Sequence, residues 1–231
     1  MAKPKIIITG LGHAGSTYLM DIFNALPGVD IGSGAMNDDP SGYPDEKTRH
    51  GREWEPFLAI CREMNSKMAQ HYCFPYETAM DYEKLFELGD VWLSYFTEKI
   101  DQVDFPEVVK YPDFGWGWLI DLFEPEYVIV CNRHPVDWVN SMQRWEDRKR
   151  SKTRPTKSEM LTTYTFQIGN IISSLEMLHI NYGFIDFPKS TEDHLYLADA
   201  LKPAFEVLGG KWSRDDVYNA HRDVFREDWI I

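Results

Sequence analysis

The stretch Ile6 to Leu19, IIITGLGHAGSTYL, decides how the rest of the chain is read. Ile6, Ile7 and Ile8 form a β-branched run, Gly10, Gly12 and Gly15 follow, and Ser16 and Thr17 open a stretch with apolar residues at Leu19, Ile22, Phe23 and Leu26. That order describes a buried strand, a glycine-rich turn and a helix. Glycines let the backbone bend so that several N–H groups point into one concavity. The helix that follows adds unpaired amides and the positive end of its dipole, so the turn suits a phosphate or a sulfate. Gly10 to Thr17 has the G-x-x-x-x-G-x-[ST] spacing of a phosphate loop, with Ser16 where that motif carries lysine. As a dinucleotide fingerprint it is poor, because no Asp or Glu clearly ends a second strand about 20 residues on. A glycine turn that only joins strand to helix is the plain alternative, and its position after a hydrophobic strand counts against it.

A chain of 231 residues fits one α/β domain and can bury a sizeable core. Hydrophobic residues make up 43% and charged residues 26%, which describes a globular protein rather than a disordered one. The formal net charge of -13 argues against a surface that coats nucleic acid, although an acidic protein can still focus a local basic pocket on an anionic ligand. Cys61, Cys73 and Cys131 are odd in number and contain no C-x-x-C pair, so neither a disulfide framework nor a zinc site is suggested. The apolar part of MAKPKIIITG is too short for a signal peptide, and no run approaches a transmembrane helix. A soluble, cytoplasmic protein with reduced thiols is the expectation.

Beyond the first helix, expected from about Gly15 to Leu26, the region Gly32 to Gly51 is rich in Gly, Pro, Asp and Ser and reads as a long loop. Trp54 to Met68 and Tyr82 to Ile100 have helical spacing, and Glu107 to Lys110 is a short strand. Phe114 to Phe123 reads as an apolar helix, and Tyr127 to Cys131, YVIVC, is a second buried strand that Asn132-Arg133-His134-Pro135 turns into a helix. A long helix follows from Lys157 to Asn181, then a strand, Tyr182 to Phe187, and a helix, Leu195 to Leu208, closed by Gly209-Gly210. Ser213 with Asp215-Asp216 starts a last short helix. Strands alternating with helices describe a parallel sheet with crossovers, with residues 32 to 105 as a loop and helical insertion in a single domain. Arg144 to Lys157 is the one basic concentration, read as a solvated helix end or as a flap over an anion.

In an open parallel sheet, ligands sit at the carboxyl ends of the strands, so the residues after YVIVC should face the crevice of the glycine turn. Arg133 there offers a planar fork of donors to phosphate oxygens. Ser141 in the next helix has a hydroxyl that could share the anion, and Lys110 ends its own strand on the same edge. Each has a plain structural alternative, but three strand ends that present anion-binding groups are harder to dismiss together.

These residues resemble the P-loop sulfotransferases that use 3′-phosphoadenosine 5′-phosphosulfate. Members carry a G-x-x-[RK]-S-G-[ST]-[ST]-x-L turn, a K-x-P segment, and a strand ending in R-x-P with a serine eight residues after the arginine. Gly10 to Leu19, Lys110-Tyr111-Pro112, Arg133-His134-Pro135 and Ser141 follow that order and spacing. Two departures stand out: His13 and Ala14 replace the turn's basic residue and serine, and Asp186-Phe187 stands where relatives have Tyr-Glu. The resemblance implies a three-layer α/β/α fold around a central, mostly parallel sheet of the P-loop nucleotide-binding type. It also implies that a sulfuryl group passes from 3′-phosphoadenosine 5′-phosphosulfate to a hydroxyl or amine, with no metal.

On that basis the backbone of Gly12, His13, Ala14, Gly15, Ser16 and Thr17 would hold the 5′-phosphate, with the Ser16 and Thr17 hydroxyls assisting. His13 and Lys110 would stabilise developing charge, and Arg133 and Ser141 would recognise the 3′-phosphate. Relatives use a histidine or glutamate as general base; His50, Glu53 and Glu55 are the candidates here. Tyr43, Trp54, Trp116 and Trp118 could line an acceptor pocket, although most aromatics are core. The partner would be a small-molecule or carbohydrate acceptor, with no nucleic acid and no membrane span, and a homodimer is compatible with the sequence. Two other readings stay open: a sulfotransferase-like nucleotide-binding protein without turnover, and a P-loop kinase in which Asp21 or Asp113 serves a metal. The missing lysine after Gly15 speaks against the kinase.

Overall fold

A computed structural model describes residues 2–32, 36–37, 53–72, 82–111, 117–149, 155–210 and 212–225. Strand β1, Ile6–Gly10, is buried along its whole length. It lies between two parallel neighbours, β4 (Val108–Lys110) on one side and β5 (Tyr127–Arg133) on the other. Strand β6, Tyr182–Phe187, pairs in parallel with the outer edge of β5, which gives the order β4-β1-β5-β6. The connection leaving β1 leads to one side of the sheet and the connection leaving β5 to the other. The crevice between the carboxyl ends of β1 and β5 is therefore the topological switch point, where open α/β sheets bind ligands.

Alternation along β1 builds the layers, because successive side chains of a strand point to opposite faces. Ile6 and Ile8 pack with Tyr18, Leu19, Ile22 and Phe23 of α1 (Ser16–Ala25), and with Leu197 and Leu201 of a later helix. Ile7, Val109, Val128 and Val130 face the opposite way, onto Phe57, Phe96, Phe123 and Ile171. Both faces are covered by helices, which is why the strands read as unbroken apolar runs. The result is the α/β/α arrangement that the resemblance implies.

The helices on the second face are α2 (Glu55–Tyr72) and α3 (Tyr82–Asp101), followed by a 3-10 helix, Gly117–Phe123. After β5 come α4 (Pro135–Lys149) and α5 (Lys157–Met177). A short α6 (Lys189–Glu192), α7 (His194–Leu208) and α8 (Arg214–Val224) complete the first face. Thr156 and Ser213 cap their helices with reciprocal bonds to Glu159 and Asp216, and Gly209 in the left-handed conformation ends α7. No helix of the described residues is long and apolar enough to cross a membrane.

Four expectations need correction. Met36–Asn37, inside the expected loop, is a strand β2 paired antiparallel with β3, Glu53–Trp54, so Trp54 is extended and α2 starts one residue later. The apolar stretch before Pro125 is a 3-10 helix rather than an α-helix. Its buried Ile120 and Phe123 are three residues apart, a spacing that suits either period in so short a piece. Helix α5 stops at Met177 because His179 turns left-handed, at φ 54, and the Ile180 amide closes back on the Leu175 carbonyl. Asn132 and Arg133, expected just beyond β5, are its last two residues and pair with Asp186 and Phe187.

The first face also carries a titratable contact. The Tyr18 hydroxyl of α1 donates to the Ser190 carbonyl at 3.1 Å and lies 2.7 Å from His221 Nδ1 on α8. Burial, then the charge of His194, lowers the pKa of His221 below its ordinary value of 6.5. The unfolded chain therefore takes up this proton first. Stability should be constant above 6.5 and fall as pH drops from there towards the folded pKa. Urea midpoints at pH 7.5 and pH 5.5 check this, and the His221→Gln variant should narrow the difference.

Candidate functional site

The glycine turn leaves the end of β1 at Gly10, where φ is 126° and a Cβ would stand 2.4 Å from the Cys131 carbonyl oxygen. No side chain fits between the two strand ends. The Ala14 amide then closes on the Leu11 carbonyl at 3.2 Å, which makes Leu11 to Ala14 a tight turn with His13 left-handed at φ 65°. A non-glycine residue there is uncommon and costs strain. Gly15, at φ 90°, caps α1, and its missing Cβ makes room for the ring of Phe187, which would be only 2.5 Å away. Gly15→Ala should therefore cost about 1–3 kcal/mol by overpacking, with further cost from the positive φ. Urea unfolding with an unchanged m value would show it.

Strand β5 and helix α4 hold this turn from the far side. Arg133, 8% exposed, donates from a terminal nitrogen to the His13 carbonyl at 3.0 Å. Its guanidinium lies 5.1 Å from the centre of the Phe187 ring. Phe187 thus sits between the turn's last glycine and the arginine. Among the described residues Arg133 has no carboxylate within ion-pair distance, and its buried Nε has no hydrogen-bond partner. Burial, then the charge of Arg144, lowers its pKa, with Asp137 opposing, yet an arginine stays charged at any physiological pH. A buried cation with an unmet donor is costly unless an anion completes it.

Trp138 of α4 donates from Nε1 to the Gly12 carbonyl at 2.8 Å, and the Trp145 ring stands 5.4 Å from that of His13. Ser141 is half-buried between them. Positions three, four and seven apart share a helix face, so Trp138, Ser141 and Trp145 lie along one line beside the turn. The Tyr164 hydroxyl shares its one proton between Asn132 Oδ1 and the Arg133 carbonyl, at 2.9 and 2.8 Å, and Asn132 Nδ2 donates to Asp186 at 2.8 Å. Cys131 beside Gly10 is no nucleophile at neutral pH, since burial pushes its thiol up to about 12.

On the β4 side, Lys110 is 1% exposed and donates to the Thr17 hydroxyl at 2.9 Å. Its ammonium also pairs with Glu53 at 2.7 Å. Glu53 arrives on β3, at the end of the segment read as a long loop, and is itself buried. The small ribbon is seated where Gly32 leaves no room for a Cβ beneath Trp54, which packs edge-on against Phe105.

The structure therefore brings together the Gly12 to Thr17 backbone, His13, Lys110, Glu53, Arg133 and the α4 face bearing Ser141. Of the other candidates, Glu55 is exposed at the start of α2, and Asp21 is half-buried on α1. Trp54 packs on Phe105 and Gly32 as a seat for the ribbon. His50, Tyr43, Asp113 and Trp116 lie outside the described residues. Trp138, Trp145 and Phe187 were not legible as site residues. The signal for Phe187 is Gly15, a glycine whose space something bulky must fill.

No family model matches the chain, and no curated protein matches it in sequence. Among solved structures it is similar to the sulfotransferase domain from the curacin biosynthetic pathway, at 14% identity and a TM-score of 0.48, over 99% of this chain and 80% of that one. It is also similar to the sulfotransferase domain from the Synechococcus PCC 7002 olefin synthase, at 14% identity and a TM-score of 0.47, over 99% and 79%. A likeness at that identity and score says nothing of activity, which has to come from the chain's own residues.

Proposed function

We propose that the protein is a sulfotransferase that takes a sulfuryl group from 3′-phosphoadenosine 5′-phosphosulfate. The observation that carries this is the buried Arg133 at the switch point, with an unmet Nε and no carboxylate in ion-pair reach among the described residues, beside a separate glycine cradle. Two anion subsites suit a nucleotide with phosphates at two positions, and a mononucleotide with a single phosphate chain leaves one of them empty. Gly10 lets the turn leave between the ends of β1 and β5, Gly15 makes room for Phe187 against it, and the α1 amides offer an anion the positive end of the helix. Arg133 and Ser141 take the 3′-phosphate.

The donor supplies the sulfuryl group. The acceptor oxygen forms a bond to sulfur as the bond from sulfur to the 5′-phosphate oxygen breaks, and the displaced 3′-phosphoadenosine 5′-phosphate leaves. Thr17, hydrogen-bonded to Lys110, and the turn's amides hold the phosphate side. His13 donates to the oxygens on which charge grows. Glu53 accepts the acceptor's proton, and Lys110, paired with it at 2.7 Å, aims that carboxylate. One observation favours a nucleotide-binding protein without turnover: the Lys110 charge is already committed to Glu53, which leaves the developing charge to His13.

Release of 3′-phosphoadenosine 5′-phosphate from the donor, followed by chromatography over a panel of hydroxylated and amine acceptors, separates the two. Acceptor-dependent release that Glu53→Gln lowers by about 100-fold or more supports transfer with Glu53 as base. Donor that binds and is never consumed with any acceptor establishes the binder.

A further inference from the structure

We infer that the aromatic face of α4 is a positioning device for His13, and that Trp145 sets the direction of its imidazole; the inference rests on the donor-site reading above. A lysine would carry its charge to an anion on a long, flexible stem. A histidine cannot extend, so its ring must be delivered by the backbone and held by a neighbour.

Both parts are present. The backbone of His13 is fixed on either side, since Trp138 holds the Gly12 carbonyl at 2.8 Å and Arg133 holds the His13 carbonyl at 3.0 Å. The Leu11–Ala14 bond closes the turn around it at 3.2 Å. With the main chain pinned at φ 65°, the imidazole's place depends on its two side-chain torsions. The Trp145 ring stands 5.4 Å from it, inclined at 64°, an edge-to-face geometry that restricts both torsions.

Trp145 is seven residues after Trp138, two turns along the same face. Trp138 is buried and packs on Tyr164 at 5.5 Å, whose hydroxyl is anchored to the Arg133 carbonyl at 2.8 Å. The wall behind His13 is thus tied to the residue assigned to the 3′-phosphate. The residue that departs from the sulfotransferase motif and the aromatic pair on α4 form one unit, in which a rigid wall takes over what a longer side chain would do alone.

A double-mutant cycle between Trp145→Leu and His13→Lys tests this. With His13 present, Trp145→Leu should lower kcat about tenfold and leave the donor KM within about twofold, the signature of a misplaced reacting group. In the His13→Lys background the same change should cost less than about twofold, since the wall has nothing left to aim. An equal cost in both backgrounds, or a raised KM with kcat unchanged, makes Trp145 a packing residue and overturns the inference. A second readout needs no turnover. In proton–carbon spectra the His13 ring signals, assigned by their loss in His13→Lys, should shift in Trp145→Leu as the indole ring current disappears. Affinity for 3′-phosphoadenosine 5′-phosphate should be retained in that variant. Unmoved His13 signals overturn the inference. If the parent protein neither binds that nucleotide nor consumes the donor, the sulfotransferase reading fails, and these spectra still decide whether the Trp145 ring stands against the His13 imidazole.

Discussion

Arg133→Ala is expected to weaken binding of 3′-phosphoadenosine 5′-phosphate by roughly 10- to 150-fold while 5′-AMP binding changes far less. A hydrogen bond to a charged partner contributes about 1.5–3 kcal/mol, and each 1.4 kcal/mol is about tenfold in affinity. The effect is selective because, among the described residues, the hydrogen bond from Arg133 to the turn is the one to the His13 carbonyl, and its Nε has no partner. Arg133→Lys should recover only part, because a point charge cannot reproduce a fork that also stacks on Phe187. Isothermal calorimetry on the three proteins checks this. Equal losses for both nucleotides would make Arg133 a structural brace of the turn.

The largest stability effect is expected at the other side of the site. Lys110→Met removes the partner of a buried carboxylate and should cost about 3–5 kcal/mol, the usual penalty for breaking a buried ion pair. Lys110 is 1% exposed and Glu53 is 9% exposed, so water cannot take over the lost partner. The double variant Lys110→Met with Glu53→Gln should recover much of that loss, because neither charge is then left alone. Urea unfolding of the single and double variants gives the comparison. A single variant within about 1 kcal/mol of the parent would mean that the pair behaves like an exposed one.

How much of this was legible depends on whether the interaction is local. The β1 turn and α1 could be read because strand, glycines and helix are contiguous and each obeys a local rule: β-branched residues, positive φ, apolar spacing. The caps at Ser213 and Gly209 were legible for the same reason. Lys110 and Arg133 could be proposed because strand ends converge in a parallel sheet. Their partners could not be, since the Glu53 pair spans 57 positions of chain and depends on a two-residue ribbon with almost no pattern of its own. Trp138 and Trp145 look like ordinary helix residues because α4 is amphipathic, and nothing in its spacing says that part of its apolar face meets a glycine turn rather than the core. The 3-10 helix before Pro125 reads as an α-helix because seven residues cannot distinguish a period of three from one of 3.6.

The most direct measurement is a calorimetric titration of the unmodified protein with 3′-phosphoadenosine 5′-phosphate, beside 5′-AMP and magnesium ATP. The two anion subsites proposed on either side of the Arg133–His13 contact require that the 3′-phosphate raise affinity by at least about tenfold over 5′-AMP, without metal. Tight binding of magnesium ATP with no preference for the 3′-phosphate would contradict the assignment of Arg133 and return the glycine turn to a kinase.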